Sequence, residues 1–458
     1  MKRRTLVLGG VSSVPAWLAA QISVASAASK VSTQAEDLRD TKRVFAHYMV
    51  AWPRSGPNAG VDNYIAEFRD AHQRGIDGFA LNCGGWHRSE PLYRQRVLTM
   101  YRAAEQFGNG FKLFVSADGK AQDELEDIVQ TTANLPAQLM VDGKPVISAY
   151  GLGGDDSERG EALIKQAESL GAYIVPHFMP STKEAEIGDA TAKEIAWRCH
   201  SAQGYFYFGA AGAPDSLARS IAHLATALKA AGKLFMAPVT PYYRGLASGT
   251  NYRAFETNGF SGMATEWIAT IRSNVDWVQI VTWNDWAEST YVAPIGSNAS
   301  ARVYAPRFGL LPSHTGYLDA SRYFIEWFKR GTAPTITQDK FYYFYRLHPV
   351  GIGAAAAVGS TGGAAIAPRS STPLTALVHV TTFLTEPATL EILQGNTRAV
   401  RELPGGVSEV AVPALPGTPR FLLTRNGKTI ADKSGEEPIR TNDFTGAFNY
   451  FSGQSAPD

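Results

Sequence analysis

A chain of 458 residues is longer than one hydrophobic core usually organises, so its length predicts two domains. Hydrophobic residues make up 45% of the chain and charged residues 19%, which is typical of soluble globular proteins. Lysine and arginine number 43 against 42 acidic residues, and this near balance leaves no basic field for a polyphosphate, so we expect no nucleic-acid partner.

Residues 1–27 are predicted to be a signal peptide. A basic start, Met1–Arg4, precedes a mostly apolar run, and Ala25-Ser26-Ala27 supplies the small residues of a cleavage site. The paired arginines indicate twin-arginine export, although an ordinary secretory signal fits the same residues. The apolar run is too short for a membrane anchor. We therefore expect a secreted or periplasmic protein that is free of the membrane after cleavage.

Residues 41–332 repeat one pattern, in which a short apolar run ends in polar or aromatic residues and a segment of helical period follows. Apolar runs with little alternation, separated by helices, are typical of strands buried on both faces of a parallel sheet. Eight such units predict an α/β fold of the (β/α)8 TIM-barrel type. The predicted strands are Val44–Val50, Gly78–Asn82, Lys112–Ser116, Pro145–Tyr150, Tyr173–His177, Gly204–Phe208, Lys233–Ala237 and Trp277–Thr282.

Residues 333–458 follow a different pattern. A Gly/Ala-rich stretch at 351–372 is predicted to be a loop, and short strand-like runs divided by turn residues such as Asn426-Gly427 follow it. Without a helical period, these runs predict a smaller antiparallel β-sandwich. Its role is open between sugar binding and packing against the barrel.

Cysteine and motif patterns exclude several kinds of chemistry. Cys83 and Cys199 are the only cysteines and form no disulfide framework, although they could pair. No Cys/His spacing indicates zinc, and no Gly-rich phosphate loop or Gly-x-Ser-x-Gly elbow is present. We expect chemistry without a metal or an organic cofactor, carried out by a monomer.

Polar and aromatic residues gather where the predicted strands end. In a (β/α)8 barrel this carboxyl-terminal end, here called the mouth, carries the active site. Asp77 precedes its strand and is therefore predicted to be structural, pairing with a helix at the barrel floor. The mouth candidates are His47, Asn82, Asp118, Tyr150, His177, Tyr242, Tyr243, Trp283, Asn284, Asp285, Trp286 and Glu288.

Each candidate has a structural alternative. His177 can be a hydrogen-bonded structural residue, and Asp118 can be a turn residue ahead of Gly119. Tyr242 and Tyr243 can pack the rim, and the two tryptophans can belong to the core. Aromatic residues make up 11% of the chain, which suits a neutral ligand held by ring faces and hydroxyls. The convergence of carboxylates, histidines and rings favours a sugar-binding mouth.

The stretch WNDWAEST places two carboxylates three residues apart after the last predicted strand. Glycosidic hydrolysis uses one protonated carboxyl to protonate the leaving oxygen and one carboxylate to activate water or to attack the sugar. Apolar walls, here predicted to be Trp283 and Trp286, raise a carboxyl pKa by desolvation. We therefore predict Asp285 and Glu288 as the catalytic pair, with the shorter Asp285 as base and Glu288 as acid.

The stretches VFAHYMV, GIDGFALN, KLFVSADG, FMAPVTPYY and VQIVTWNDWAEST, in this order, resemble glycoside hydrolase family 71. That family contains the α-1,3-glucanases, also called mutanases. The resemblance implies a barrel followed by a β-sandwich and endo-hydrolysis of α-1,3-glucosidic bonds with inversion. It also implies Asp285 and Glu288 as the carboxylate pair, Asp118 as a further acid, and a polysaccharide or oligosaccharide substrate.

Two rival functions stay open at this point. One is an endo-glycosidase that acts on another bacterial exopolysaccharide, since Pro176-His177-Phe178 and Tyr242-Tyr243 depart from the family pattern. The other is a carbohydrate-binding barrel without catalysis. A binding protein has no need of an acid between two tryptophans, which argues against the second.

Overall fold

The computed structural model describes residues 41–179, 186–245, 253–295, 303–348, 373–441 and 449–455. The predicted signal peptide and the Gly/Ala-rich stretch at 351–372 lie outside these residues. The first sheet contains β1 (Arg43–Met49), β2 (Gly78–Cys83), β3 (Lys112–Asp118), β4 (Met140–Val141), β5 (Lys144–Tyr150), β6 (Tyr173–Pro176), β7 (Gly204–Phe206), β8 (Leu234–Val239) and β9 (Trp277–Ile280).

Helices connect these strands and cover the outside of the sheet. Their apolar faces pack on the outward side chains of the strands, and two of them begin with a proline, Pro91 and Pro214, which suits a first helical turn. The helices are α1 (Val61–His72), α2 (Pro91–Phe107), α3 (Leu125–Thr132), α4 (Ser157–Ser169), α5 (Asp189–Arg198), α6 (Pro214–Ala230), α7 (Ser261–Arg272), α8 (Ala305–Phe308) and α9 (Thr315–Arg330).

The sheet curls so that its parallel strands follow the order β6-β5-β3-β2-β1-β9-β8-β7, with short β4 antiparallel to β5. β1 pairs with both β2 and β9, which joins the first and last strands of the unit. Between β6 and β7, a backbone hydrogen bond from Gln203 to Ile174 at 3.2 Å takes the place of a strand ladder. The predicted α/β class is confirmed. The sheet has an open seam between β6 and β7, where the two edge strands are not paired by a ladder.

Strand alternation sends one set of side chains inward and the other toward the helices. Phe45, Phe114 and Trp277 pack inside the curled sheet, while Val44 and Tyr48 lie in the outer core with the helices. Both sides are apolar, which explains why the strands show little polar alternation in sequence. The same alternation selects which residues at the strand ends face the interior.

The antiparallel part contains the strands β10 (Lys340–Arg346), β11 (Leu377–Leu384), β12 (Ala388–Gln394), β13 (Thr397–Leu403), β14 (Gly406–Pro413), β15 (Arg420–Arg425), β16 (Lys428–Ser434) and β17 (Tyr450–Gln454). They form two four-stranded sheets, ordered β14-β11-β10-β17 and β13-β12-β15-β16. Their facing side chains form a separate core that includes Phe341, Leu390 and Phe421. The predicted smaller antiparallel unit is therefore present.

The two parts share a buried contact. Phe344 of β10 and Tyr450 of β17 belong to the same apolar core as Tyr317 of α9 and Phe260 before α7. At Gly259, φ is +63° and an added Cβ would lie 2.8 Å from the Cβ of His379, so the loop approaches β11 very closely. The antiparallel unit is thus packed onto the loop that follows β8.

The amino-terminal end of the parallel sheet is held by charged contacts. Asp77 accepts hydrogen bonds from the Val44 amide at 2.8 Å and from Lys329 of α9 at 2.6 Å, which confirms its predicted structural role. Cys83 and Cys199 are both buried and free. None of the helices in the described ranges is long and apolar enough to cross a membrane.

Candidate active site

Side chains from the carboxyl-terminal ends of several strands meet inside the curled sheet. His47, Asn82, Asp118 and Tyr150 occupy inward positions of β1, β2, β3 and β5, because each lies an even number of residues beyond an inward apolar side chain. The mouth cluster consists of His47, Asn82, Asp118, Tyr150, His177, Tyr243, Arg253, Asp285 and Glu288.

The turn after β9 carries two carboxyl groups into this cluster. The Asp285 amide donates to Thr282 Oγ1 at 2.8 Å, and the Glu288 amide donates to Asp285 Oδ1 at 3.0 Å. Ser289 follows at φ 59°, a left-handed position that redirects the chain. These local bonds fix Asp285, which is only 6% exposed, while Glu288 extends from the next part of the turn.

Burial raises the pKa of both carboxyl groups. For Asp285 the backbone N–H groups of Glu288 and Ala287 oppose part of the rise, because they stabilise the carboxylate. For Glu288 the charge of Asp285 adds to the rise in pKa, while Tyr243 and Arg253 oppose it. The pair therefore keeps one proton at pH values where ordinary carboxyl groups are ionised, and the causes favour Glu288 as its position.

Glu288 is bordered by two side chains of the loop after β8. The Tyr243 hydroxyl donates to Glu288 Oε1 at 3.3 Å, and the Arg253 guanidinium lies 5.6 Å from the centre of the Tyr243 ring. Tyr150 lies near the pair, on the opposite strands. Burial, and then the charges of Glu288 and Asp118, raise its pKa to about 12. Its hydroxyl stays protonated and can donate to a ligand.

Two neutral imidazoles line the bottom of the mouth. Burial, and then the neighbouring His177, lowers the pKa of His47 to about 3, and burial lowers the pKa of His177 to about 4. His177 Nδ1 donates to the Phe206 carbonyl at 3.1 Å, which leaves Nε2 as the acceptor nitrogen. The ring of His177 also stacks on Tyr150 at 5.2 Å. Neutral rings of this kind suit a neutral ligand.

Asp118 and Asn82 form the remaining side of the cluster. Asn82 Nδ2 donates to Asp118 Oδ2 at 3.3 Å, while burial raises the pKa of Asp118 against this bond. Asp118 precedes a 3-10 turn that starts at Gly119, whose backbone N–H stabilises the carboxylate and so opposes the rise in its pKa. The carboxyl group also faces Tyr150 and the mouth, so its contacts serve both the turn and the mouth.

Trp283 is turned away from the mouth, which corrects its prediction as a substrate-binding residue. Its indole N–H donates to Glu67 of α1 at 2.7 Å, and its ring packs on Phe79 of β2 at 5.0 Å. Tyr48 donates to the same carboxyl group at 3.0 Å. Strand β9 ends at Ile280, so strand alternation no longer determines the direction of Trp283.

Asn284 and Trp286 are also structural, although the sequence predicts them at the sugar. Asn284 Oδ1 accepts from the Met49 N–H at 2.7 Å, and Asn284 Nδ2 donates to the carbonyls of Met49 and Trp52. The Trp286 indole donates to the Trp52 carbonyl at 3.1 Å and its ring packs on Tyr291. Both side chains fasten the turn to the end of β1, and neither tryptophan supplies the wall predicted for the carboxyl pair.

Tyr242 lies on the far side of its loop. Its ring contacts Tyr450 of β17 at 5.7 Å and the guanidinium of Arg346 at 5.9 Å, and it is fully buried. The predicted tyrosine pair is therefore divided, with Tyr243 in the mouth cluster and Tyr242 in the contact with the antiparallel unit. Consecutive residues of an extended segment point in opposite directions, which accounts for the split.

Sequence reasoning missed three residues at the mouth. Phe208 packs between His47 and Tyr150 at 4.9 Å from each ring, and Gln279 Nε2 lies 2.8 Å from His47 Nδ1. Gln279 is a polar residue inside an apolar run, a signal that could have found it. Arg253 carries no such signal, because a single antiparallel bridge between Arg244 and Ala254 brings it to the site.

A cavity of about 590 Å³ lies at the opposite end of the sheet. Two of its three lysines are bound to the backbone, since Lys233 donates to the carbonyls of His200 and Ala202 and Lys42 donates to that of Val275. Asp276 accepts from the Phe235 amide at 2.8 Å. These contacts fasten the sheet floor. Within the described residues, no group of three or more His, Cys, Asp or Glu side chains could hold a metal ion.

Comparison with known proteins gives one family. The model of glycosyl hydrolase family 71 matches residues 40–457. A mutanase from Penicillium rubens is 27% identical over 93% of this chain and 91% of its own length. A glucan endo-1,3-alpha-glucosidase from Schizosaccharomyces pombe is 27% identical over 87% of this chain and 91% of its own length.

Among solved structures, a GH99 endo-alpha-mannosidase from Bacteroides thetaiotaomicron is similar to this chain with a TM-score of 0.47 and 16% identity. The likeness covers 63% of this chain and 98% of that one, and it is too distant to bear on function.

Proposed function

The chain belongs to glycosyl hydrolase family 71, and from that premise we propose that it hydrolyses the α-1,3-glucosidic bonds of an α-glucan. The single observation that carries the proposal is the pair of buried carboxyl groups, Asp285 and Glu288, held in one turn at the mouth. The names of the two relatives support the linkage. The neutral rings and hydroxyls around the pair suit an uncharged sugar.

Glu288 is the proposed general acid. Its proton must be present at the pH of the reaction, and burial together with the charge of Asp285 raises its pKa. The proton passes to the glycosidic oxygen as the bond from the anomeric carbon to that oxygen breaks. Tyr243 donates to Glu288 Oε1 and so supports the carboxylate that the transfer leaves behind.

Asp285 is the proposed base. Its carboxylate accepts the backbone N–H of Glu288, which favours the ionised form and fixes its direction. It takes a proton from a water molecule as the water oxygen bonds to the anomeric carbon on the face opposite the leaving oxygen. The configuration at that carbon inverts. Carboxyl groups about 6.5–9.5 Å apart in the complex leave room for this water.

Six further residues of the mouth cluster are proposed to bind the sugar. The protonated hydroxyl of Tyr150 and the unprotonated Nε2 of His177 supply a donor and an acceptor for sugar hydroxyls. The group consists of His47, Asn82, Asp118, Tyr150, His177 and Tyr243. Asp118 is the third carboxyl group of the mouth, and its bond to Asn82 keeps it directed at the ligand space.

The curled sheet is proposed to work as a (β/α)8 barrel within residues 41–332, with residues 333–458 as an accessory β-sandwich. Eight parallel strands in sequential order, apart from the antiparallel insertion of β4, support the barrel. Export to the periplasm or the medium, with cleavage after Ala27, is proposed from the predicted signal peptide. Amino-terminal sequencing of the mature protein tests the cleavage position.

The function is tested by incubating the protein with insoluble α-1,3-glucan and measuring new reducing ends. Asp285→Asn and Glu288→Gln should each lower kcat by at least about 10²-fold. Asp339→Asn, in the half-buried ion pair with Arg425 of the antiparallel unit, is the matched control and should keep wild-type kinetics. Nuclear magnetic resonance of the first product anomer reports the stereochemistry.

Four outcomes contradict parts of the proposal. Release of reducing ends from another polysaccharide but not from α-1,3-glucan would replace the substrate. Binding without release from either would indicate a carbohydrate-binding barrel. Full activity in both carboxyl variants would remove the pair from the mechanism. A substrate with a good leaving group should rescue Glu288→Gln alone, and rescue of Asp285→Asn alone would reverse the two roles.

A further inference from the structure

The loop after β8 reaches the active site on one side and the antiparallel unit on the other. Arg244 and Ala254 form an antiparallel bridge, and the Gly245 amide donates to the Arg253 carbonyl at 2.9 Å. The base of the loop is therefore a short two-stranded ribbon. Its inner side carries Tyr243 and Arg253 to Glu288.

The ribbon is bonded directly to the catalytic turn. The Arg244 amide donates to the backbone carbonyl of Glu288 at 2.8 Å, while the Tyr243 hydroxyl donates to the side chain of Glu288 at 3.3 Å. The loop therefore holds both the main chain and the side chain of Glu288 by hydrogen bonds. A shift of the ribbon would change the surroundings of the carboxyl group without any change in the turn itself.

The outer side of the ribbon ends in a buried carboxylate. Glu256 accepts from Arg346 Nη1 at 3.0 Å and from the Tyr450 hydroxyl at 2.5 Å. It also accepts the Thr375 amide at 2.7 Å and the Thr375 hydroxyl at 3.0 Å. The four residues Glu256, Arg346, Thr375 and Tyr450 are called the interdomain clamp. Three of them belong to the antiparallel unit, and only Glu256 belongs to the loop.

The clamp also holds the other strand of the ribbon. Arg346 and Tyr450 both contact the ring of Tyr242, the residue directly before Tyr243. In this ion pair the side chain of Arg346 is 0% exposed and that of Glu256 is 5% exposed, so water does not compete for their bonds. Although burial alone would raise it, Arg346, Tyr450 and Thr375 together lower the pKa of Glu256 to about 2, and the carboxylate stays charged.

We propose that the antiparallel unit is a positioning element of the active site, in which the interdomain clamp, through Glu256 and Tyr242, holds Tyr243 and Arg253 against Glu288. This role rests on the proposed function of Glu288 as the acid. It goes beyond packing, because the clamp grips both strands of the ribbon that touches the acid. Glu256, Arg346 and Tyr450 are positioning residues, since they contact the ribbon and not the mouth cluster.

The clamp has a signature in the pH dependence of activity. Among the described residues, the titratable and charged groups that face Glu288 are Asp285, Tyr150, Tyr243 and Arg253. Asp285 raises the pKa of Glu288, whereas Tyr243 and Arg253 lower it. Loosening the ribbon removes the two lowering groups, so Glu288 keeps its proton to higher pH. The alkaline limb of the kcat profile should move upward while kcat at the optimum falls.

The test compares Tyr450→Phe and Glu256→Gln with Asp319→Asn. Tyr450→Phe keeps the ring against Tyr242 and removes only the hydroxyl that donates to Glu256, so it is the milder change. Asp319→Asn weakens a buried carboxylate–arginine pair with Arg74, between α9 and the end of α1, remote from the ribbon. Each variant is assayed for melting temperature, for kcat and KM across pH, and for the titration of the Glu288 carboxyl carbon by nuclear magnetic resonance.

Both clamp variants should lower kcat by about tenfold with a smaller change in KM and should move the alkaline limb and the Glu288 titration upward. Asp319→Asn should lower only the melting temperature. The inference is overturned if the folded clamp variants keep the wild-type limb and titration, or if Asp319→Asn moves them equally. An inactive wild type would refute the proposed function, and the Glu288 titration would still decide the role of the clamp.

Discussion

Trp283 and Tyr243 both border the proposed catalytic turn, and exchanging each for phenylalanine should separate a structural ring from a site ring. Trp283→Phe removes the indole N–H that donates to Glu67 at 2.7 Å in a fully buried position. A hydrogen bond to an ionised group contributes about 1.5–3 kcal/mol. The smaller ring leaves a void, which adds about 1 kcal/mol. The free energy of unfolding should therefore fall by about 2.5–4 kcal/mol.

Tyr243→Phe should behave in the opposite way. It removes a hydroxyl that makes a 3.3 Å contact with Glu288 and also bonds with Arg253 at the mouth, so the free energy of unfolding should change by less than about 1 kcal/mol. The loss is expected in the reaction instead, since in the proposed mechanism the hydroxyl supports the carboxylate that forms when Glu288 gives up its proton. We expect kcat/KM to fall about five- to tenfold.

The assay pairs thermal unfolding with steady-state kinetics on soluble α-1,3-linked oligosaccharides, measured well below the lower melting temperature. Trp283→Phe should lower the melting temperature by several degrees, at roughly 2–4 °C per kcal/mol, and keep near wild-type kcat and KM. An unchanged melting temperature with a raised KM in Trp283→Phe would refute this reasoning and return the indole to a sugar subsite.

Four further predictions follow from the carboxyl pair and the rest of the mouth cluster. The profile of kcat/KM against pH should be a bell with both limbs above about 4, the ordinary range of carboxyl groups, because burial raises both pKa values of the Asp285–Glu288 pair. Because the pKa of Asp285 is raised in the folded state, the wild type loses stability as pH rises and the buried carboxyl group ionises. Asp285→Asn removes this charge and should be more stable than wild type at pH 8 by on the order of 1 kcal/mol, as measured by denaturant unfolding. Asp118→Asn should lower kcat/KM at an almost unchanged melting temperature, since its carboxyl group faces the mouth. Activity should persist in a chelator, and loss in chelator with recovery on one divalent ion would contradict the cofactor-free mechanism.

Strand alternation made much of the mouth predictable. His47, Asn82, Asp118 and Tyr150 follow apolar runs whose inward and outward positions are fixed by a two-residue period, so their common direction is contained in the sequence. Family resemblance adds the carboxyl pair after β9. The alternation stops where a strand stops, and this is where the predictions for Trp283, Asn284 and Trp286 were wrong.

The remaining features depend on contacts between distant parts of the chain. Trp283 is directed by Glu67, 216 residues earlier, and Arg253 is brought to Glu288 by a single bridge in a loop without strand-like periodicity. Glu256 meets Arg346 only because two separate units pack together. Local patterns carry no information about such partners, so these positioning contacts could not be predicted from the sequence.

The open seam between β6 and β7 should be the place where the sheet opens most easily. Gln203 fills the gap with its side chain, accepting from the Ile174 amide at 2.8 Å, and thus satisfies an edge that lacks a strand partner. The sheet can widen along this seam without breaking a ladder, whereas β1 is paired on both sides. Amide hydrogen exchange should accordingly be slowest in β1 and fastest along β6 and β7, so that slow breathing of the sheet begins beside His177.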